Sequence, residues 1–367
     1  MVDPRIRRLA DLLVNYSAAI QPGEWTMIMA EVVALPLARE VYRAVLKAGG
    51  HPMMRLFDEE LQAINYAIAS DEQLTWVSPV ERLTTEQLDA MIALRATNNT
   101  RAMTNVDPAK MALAASSRNE LGALRMKRTA AGEFKWTLTQ YPTQASAQEA
   151  EMSLTEYEDF IFGATFADRA DPVSEWRKIS AMQQTKVDWL KGKDRVTVKS
   201  ANCDLTLSIK DRVFVNSDGR KNMPSGEIFT GPVEDSVNGW VRFTFPAMRS
   251  GRAVEGVELQ FKDGKVVAAS ASKNEDFLLS QIDIDAGARY LGEFAIGTNF
   301  GITEFTGNTL FDEKIGGTIH MALGRGYPET GSKNESAIHW DMICDMRGGG
   351  EIHVDGELFY KDGEFVV

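Results

Sequence analysis

The chain has 367 residues, 44% hydrophobic and 25% charged, which excludes the disordered, collagen-like and coiled-coil classes and leaves room for two packed cores. Lys and Arg total 40 against 52 Asp and Glu, a formal charge of −12; this field repels phosphate backbones, so no nucleic-acid partner is expected, while it suits divalent cations and free amines as well as plain solubility. Two cysteines, Cys203 and Cys344, make no disulfide scaffold, and no stretch reaches the roughly 18 apolar residues of a membrane span, so a cytoplasmic protein without membrane contact is expected.

Ile6, Leu9, Leu12, Leu13 and Tyr16 recur at helical spacing over 4–20, until Pro22-Gly23 breaks the pattern. Residues 25–33 read as a buried strand, 35–48 as a helix closed by Gly49-Gly50, and 51–57 as a second strand. Helical patterns follow at 59–68, 79–94 and 108–118, a strand at 134–140, and helices near 154–167 and 172–191. This order predicts a Rossmann-like, mostly parallel sheet covered by helices. The texture changes at 191–195. From Val196 onward short β-type runs alternate with turns, and Asp218-Gly219, Asp263-Gly264, Asp355-Gly356 and Asp362-Gly363 read as hairpin signals, clearest over 259–267. The expectation is an α/β N-terminal domain over 1–190 and a β-rich α+β C-terminal metal-binding domain over 191–367.

The α/β half lacks the chemistry its order suggests. It has no G-x-G-x-x-G between strand and helix, and the chain has neither a phosphate loop of the G-x-x-x-x-G-K-[ST] kind nor a G-x-S-x-G elbow.

Polar chemistry gathers toward the C-terminus. Of four histidines, only His51 lies outside the last 48 residues. On a strand, His339 and Asp341 of Ile338-His-Trp-Asp341 share a face, an arrangement that can hold one cation or simply be a solvated pair. His320 lies in the glycine-rich run 316–326, and Tyr327, seven residues on, is either an oxyanion donor or core. Glu227 and Glu293 each follow a glycine and lead into apolar residues, where a charge is costly to bury unless paired or metal-bound. His353 and His51 read as structural or surface residues.

Together these segments resemble the thermophilic metalloaminopeptidase family, the aminopeptidase T and aminopeptidase S type. The matching pieces are NMPSGEIFTGP at 222–232, VNGWV at 237–241, YLGEFAIGTN at 290–299, LFDEKIGGTIHMALGRGYP at 310–328 and SAIHWD at 336–341, with weaker agreement at 21–25 and 141–153. The resemblance implies a homodimer that uses two divalent ions to release N-terminal residues from peptides with a free N-terminus. The implied ligands are Glu227, Glu293, His320, His339 and Asp341, with Glu227 or Glu293 bridging the ions and Tyr327 at the site. Imidazole with carboxylate suits Zn, Co or Mn alike. An unliganded Glu is also needed as general base; Glu304, Glu313 and the non-bridging metal Glu are the candidates. The 19-residue gap from His320 to His339 is shorter than the family leads one to expect and bears on loop shape and substrate access. Two rivals stay open: a dinuclear phosphoesterase, for which Arg325 and Arg347 are available, and a metal-free binding protein on the same fold.

Overall fold

The computed structural model describes residues 3–367. The chain divides into two compact units, one running up to Val173 and adding Gly219–Met223, the other made of Ser174–Asp218 and Pro224–Val367.

The first unit is built on a parallel sheet in the order His51–Phe57, Trp25–Glu31, Ala90–Arg95, Lys135–Gln140, with the short Asn222–Met223 strand at its edge. The helix Leu35–Lys47 buries Leu37, Val41, Ala44 and Val45 at helical spacing. The helix predicted over 79–94 is the main departure. Ser78 caps a helix that ends at Gln87, and Ala90–Arg95 is instead a central strand. Its apolar run, Ala-Met-Ile-Ala-Leu, suits either periodicity; pairing on both sides decides it, because local pattern yields to a ladder on two flanks. Asp89 pins the entry, its carboxylate accepting from the Trp25 amide at 2.7 Å.

The second unit holds an eight-stranded and a five-stranded sheet. The antiparallel texture expected from residue 191 begins at the Arg195–Ser200 strand, but the unit itself starts earlier, at Ser174. The reason is the helix Pro172–Leu190, whose Val187 and Leu190 join the core of the β strands. Hairpins form where Asp263, Asp355 and Asp362 take positive φ before glycine. Asp218-Gly219 makes no hairpin, since Val215–Ser217 pairs with Glu227–Thr230 while the chain after Gly219 adds a strand to the parallel sheet.

The five-stranded sheet runs His339–Asp345, Thr318–Gly324, Leu291–Gly297, Glu227–Thr230, Val215–Ser217, with every neighbouring pair antiparallel. Alternation sorts its side chains. Ile228, Phe294, Ile296, Ile319, Met321, Leu323, Trp340 and Met342 enter the same hydrophobic core as Val198, Leu205, Leu259 and Phe261 of the eight-stranded sheet. The residues between them point the other way, and they include Glu227, Glu293, His320, His339 and Asp341. The core therefore anchors the site from behind. Replacing Phe294, 1% exposed, by Ala should lower unfolding stability by about 3–5 kcal/mol. Replacing Val267, 56% exposed, by Ala should change it by less than about 0.5 kcal/mol. Urea denaturation of the two variants checks the contrast.

Candidate metal centre

Register places the polar groups in rows. Glu293 pairs with Ala322, which pairs with Asp341; Ala295 pairs with His320; Gly297 pairs with Glu227; Gly324 pairs with His339. The positions between the functional groups on this face are thus Ala295, Gly297, Ala322 and Gly324, which leave space above the sheet. A shift in the ladder between Leu291 and Glu293 sets the Glu293 row against its neighbour.

The groups converge. Nε2 of His320 lies 3.4 Å from Oε2 of Glu227 and 3.6 Å from Oε1 of Glu293. Nε2 of His339 lies 3.1 Å from Oε2 of Glu293 and 3.4 Å from Oδ1 of Asp341. Among the described residues, three overlapping sets have their ligand atoms within 4.8 Å of one another: Glu227, Glu293 and His320; Glu293, His339 and Asp341; and Glu313, His320 and Asp341. All five residues expected as ligands are brought together. Tyr327 stands at the same place, its ring 5.0 Å from that of His339 and 5.4 Å from that of Phe229. Glu313 is present, whereas Glu304 is exposed and belongs to none of the sets. His51 is exposed at a strand start, and His353 lies on the Glu351–Val354 strand of the other sheet, 3.9 Å from Glu351.

A model of the thermophilic metalloprotease (M29) family matches residues 2–365. The chain belongs to this family. It is 29% identical to aminopeptidase 2 of Geobacillus stearothermophilus over 99% of this chain and 95% of that one, and 27% identical to aminopeptidase T of Thermus thermophilus over 98% and 95%. The solved structure of wild-type AmpT from Thermus thermophilus has the same fold, with a TM-score of 0.85 at 22% identity and 99% coverage of both chains. Membership implies use of a divalent metal, and the residues present can be tested against it.

They fit. Glu227 Oε2, Asp341 Oδ1 and His320 Nδ1 are buried without a hydrogen-bond partner, a cost normally met by a partner or an ion. His339 is oriented from behind: its Nδ1–H donates to the Arg325 carbonyl at 2.7 Å, which leaves Nε2 toward Glu293 and Asp341. Gln183, wholly buried on the Pro172–Leu190 helix, donates to the Glu227 carbonyl at 2.9 Å and to Asn216 Oδ1 at 2.6 Å, and accepts from Thr298 Oγ1 at 2.7 Å. It ties the Glu227 and Leu291–Gly297 strands together at their ends. Sequence reading missed Gln183, and nothing in its local pattern marks it. It also missed Lys314, fully buried beside Glu313 and 3.8 Å from Oε1 of Glu227; in the charged triplet Asp312-Glu313-Lys314 it reads as a surface residue.

Charge balance in the cluster is visible in its protonation. Burial would strip His320 of its proton, but its hydrogen bond to Glu293 and the charges of Glu227, Glu293 and Glu313 push it up to about 9. His339, against the same burial cost, is pushed up to about 11 by Asp341 and Glu293. Burial works against ionised Asp341, yet His339 holds it well below the usual carboxylate range. Glu293 is likewise lowered against burial by its hydrogen bonds to both imidazoles. Glu313 goes the other way: burial pushes it up to about 8, despite Lys314. Tyr327, although 42% exposed as a residue, has a poorly hydrated phenol among carboxylates, which raises it above its ordinary value.

The imidazoles are thus cationic at neutral pH in the ion-free protein, and an ion must expel their protons to reach Nε2. Since both values are raised, the competing protons are held at all pH below about 9 for His320. Apparent ion affinity should fall by about tenfold per pH unit for each proton displaced as pH is lowered through this range. Calorimetric titration with Zn(II) at pH 7, in two buffers of different ionisation enthalpy, should register proton release. Binding without proton release would remove the imidazoles from the ligand set.

Proposed function

We propose that the protein is a metal-dependent aminopeptidase whose centre takes two divalent ions on Glu227, Glu293, His320, His339 and Asp341. The observation that carries this is the pair of overlapping sets, Glu227–Glu293–His320 and Glu293–His339–Asp341, which share Glu293. Its two oxygens face different imidazoles, so Glu293 would be the carboxylate shared between the two sets. Divalent ions held there polarise the scissile carbonyl and make water a competent nucleophile near neutral pH.

The chain's own groups do the rest. The carboxylates Glu227, Glu293, Glu313 and Asp341 attract a substrate's α-ammonium, which limits attack to the first peptide bond. The Tyr327 hydroxyl, held protonated, donates to the carbonyl oxygen as it gains charge. Glu313, with a proton affinity near neutrality and outside the five-ligand set, accepts the proton from the attacking water and passes it to the leaving amine.

The two arginines available to a phosphoesterase reading are engaged in bonds of their own. Arg347 is bound to Asp345 at 2.7 Å and 2.9 Å, and Arg325 donates to the Ser336 carbonyl at 3.1 Å. The remaining parts of the proposal are a homodimeric assembly, which rests on the family resemblance; a cytoplasmic setting, in keeping with the free thiols of Cys203 and Cys344; and a doubly wound first unit, supported by the 2-1-3-4 order of its first four strands. Among the described residues, no helix is long and apolar enough to cross a membrane.

Chelation should abolish hydrolysis of aminoacyl-4-nitroanilides, and added Zn(II), Co(II) or Mn(II) should restore it, while N-acetylated substrates stay intact. Tyr327→Phe should lower kcat by about 10²–10³-fold with KM nearly unchanged. Full activity in a His339→Ala variant, or rapid cleavage of the acetylated substrate, would sink the assignment.

A further inference from the structure

We propose that Lys314 is a positioning residue that decides which carboxylate oxygens are left for the ions, by withholding one oxygen each of Glu227 and Glu313. The inference rests on the dinuclear aminopeptidase reading above and goes beyond it, because it assigns the division of labour among the carboxylates to a cation the chain itself supplies.

Lys314 has no exposed side-chain surface, and its Nζ meets Oε1 of Glu227 at 3.8 Å and Oε1 of Glu313 at closer range. The two oxygens of Glu227 are therefore unlike. Oε1 faces an ammonium, while Oε2 faces His320 and has no hydrogen-bond partner. Glu293 has no such restraint and turns one oxygen to each imidazole. An ammonium has three donors and no acceptor, so it cannot itself be a ligand, and it repels a divalent ion that approaches the oxygens it holds. Glu227 would thereby keep one oxygen, Oε2, for an ion, Glu293 would keep both, and Glu313 would stay outside the ligand set.

The placement is built into the fold. A Cβ on Gly297 would lie 2.2 Å from the Ile315 carbonyl oxygen and 3.0 Å from the Lys314 carbonyl carbon, so only glycine lets this segment close over the sheet. The Lys314 carbonyl accepts from the Asn299 amide at 3.1 Å. Buried Asp312 anchors the turn just before it, accepting from the Thr306 amide at 2.8 Å and its hydroxyl at 2.9 Å. A lysine held this way cannot swing out to solvent.

The test uses the full-length protein loaded with Zn(II), with metal content and its loss to EDTA measured beside turnover of an aminoacyl-4-nitroanilide. Lys314→Met removes the charge and frees both withheld oxygens. The expected result is opposite movement: loss of zinc to EDTA slows by about tenfold or more, while kcat falls by about hundredfold or more with KM changed little. A lysine that only packs the site would give faster zinc loss together with lower kcat, and that result, or unchanged zinc retention, overturns the proposal. Glu313→Gln keeps the proposal open to refutation should the first variant not fold. It should retain two zinc equivalents with EDTA loss within about threefold of the parent and lose about hundredfold in kcat; loss of one equivalent would make Glu313 a ligand and overturn the proposal. Wild-type protein that takes up fewer than two equivalents would refute the dinuclear reading itself, before either variant is made.

Discussion

The constraint that organises the second unit is mutual repulsion among four carboxylates enclosed in one cluster. Like charges about 4–5 Å apart at an effective dielectric near 20 oppose each other by about 3–4 kcal/mol; Glu227 with Glu293, Glu293 with Asp341, and Glu313 with Asp341 have oxygens within 4.8 Å, and Glu313 responds by holding its proton up to about 8. No chain would gather them without compensation. Three cationic groups, Lys314 and the two raised imidazoles, supply it in the ion-free protein. Two of the three are proton-borne and can leave. Divalent ions can take over the role of the imidazolium charges, whereas Lys314 stays. The cluster thus carries two positive charges that can leave as protons and one, Lys314, that is fixed.

Such a cluster must be held rigidly, since its groups would otherwise relax apart. The five-stranded sheet does this through alternation. Each strand that contributes a polar group to one face contributes Ile228, Phe294, Met321 or Trp340 to the core on the other. Side chains that cannot move behind the sheet fix the direction of those in front. The small residues between these polar groups, Ala295, Gly297, Ala322 and Gly324, serve the opposite purpose and keep the front face open. Gly297 has a second role, because its missing Cβ admits the segment that brings Glu313 and Lys314. One strand thereby carries a ligand, its packing anchor and the clearance for its counter-ion.

What the sequence made legible follows from this. Period-two alternation in His339-Trp-Asp341 announced a shared face, and Asp-Gly turns announced three of the hairpins, since both signals are local. Glu227 and Glu293 could be flagged as costly charges in apolar runs but not assigned unlike roles, because the difference lies in neighbours far along the chain. Gln183 was hidden for the same reason, reaching Glu227 across 44 positions and Thr298 across 115, and Lys314 sits in a charged triplet that looks like surface until Glu227 is brought against it. The strand Ala90–Arg95 was hidden differently. Its apolar run satisfies the helical period as well as the strand period, and only ladders formed on both sides choose between them.

The two glutamates show how far environment outweighs residue type. Both are almost fully buried, both open onto the same face, and both stand near Nε2 of His320. They differ in the partner of the second oxygen: an ammonium for Glu227, an imidazole for Glu293. On the dinuclear reading proposed above, the imidazole would lose its proton to solvent when an ion binds, which would leave the Glu293 oxygen beside it available. The ammonium has no such exchange open to it without leaving an uncompensated charge in a buried site, a change of the kind that costs about 3–5 kcal/mol. The asymmetry of the centre therefore resides in the chemistry of the two counter-ions rather than in the carboxylates, and the strand and turn geometry that delivers Lys314 is as much a part of the site as the ligands.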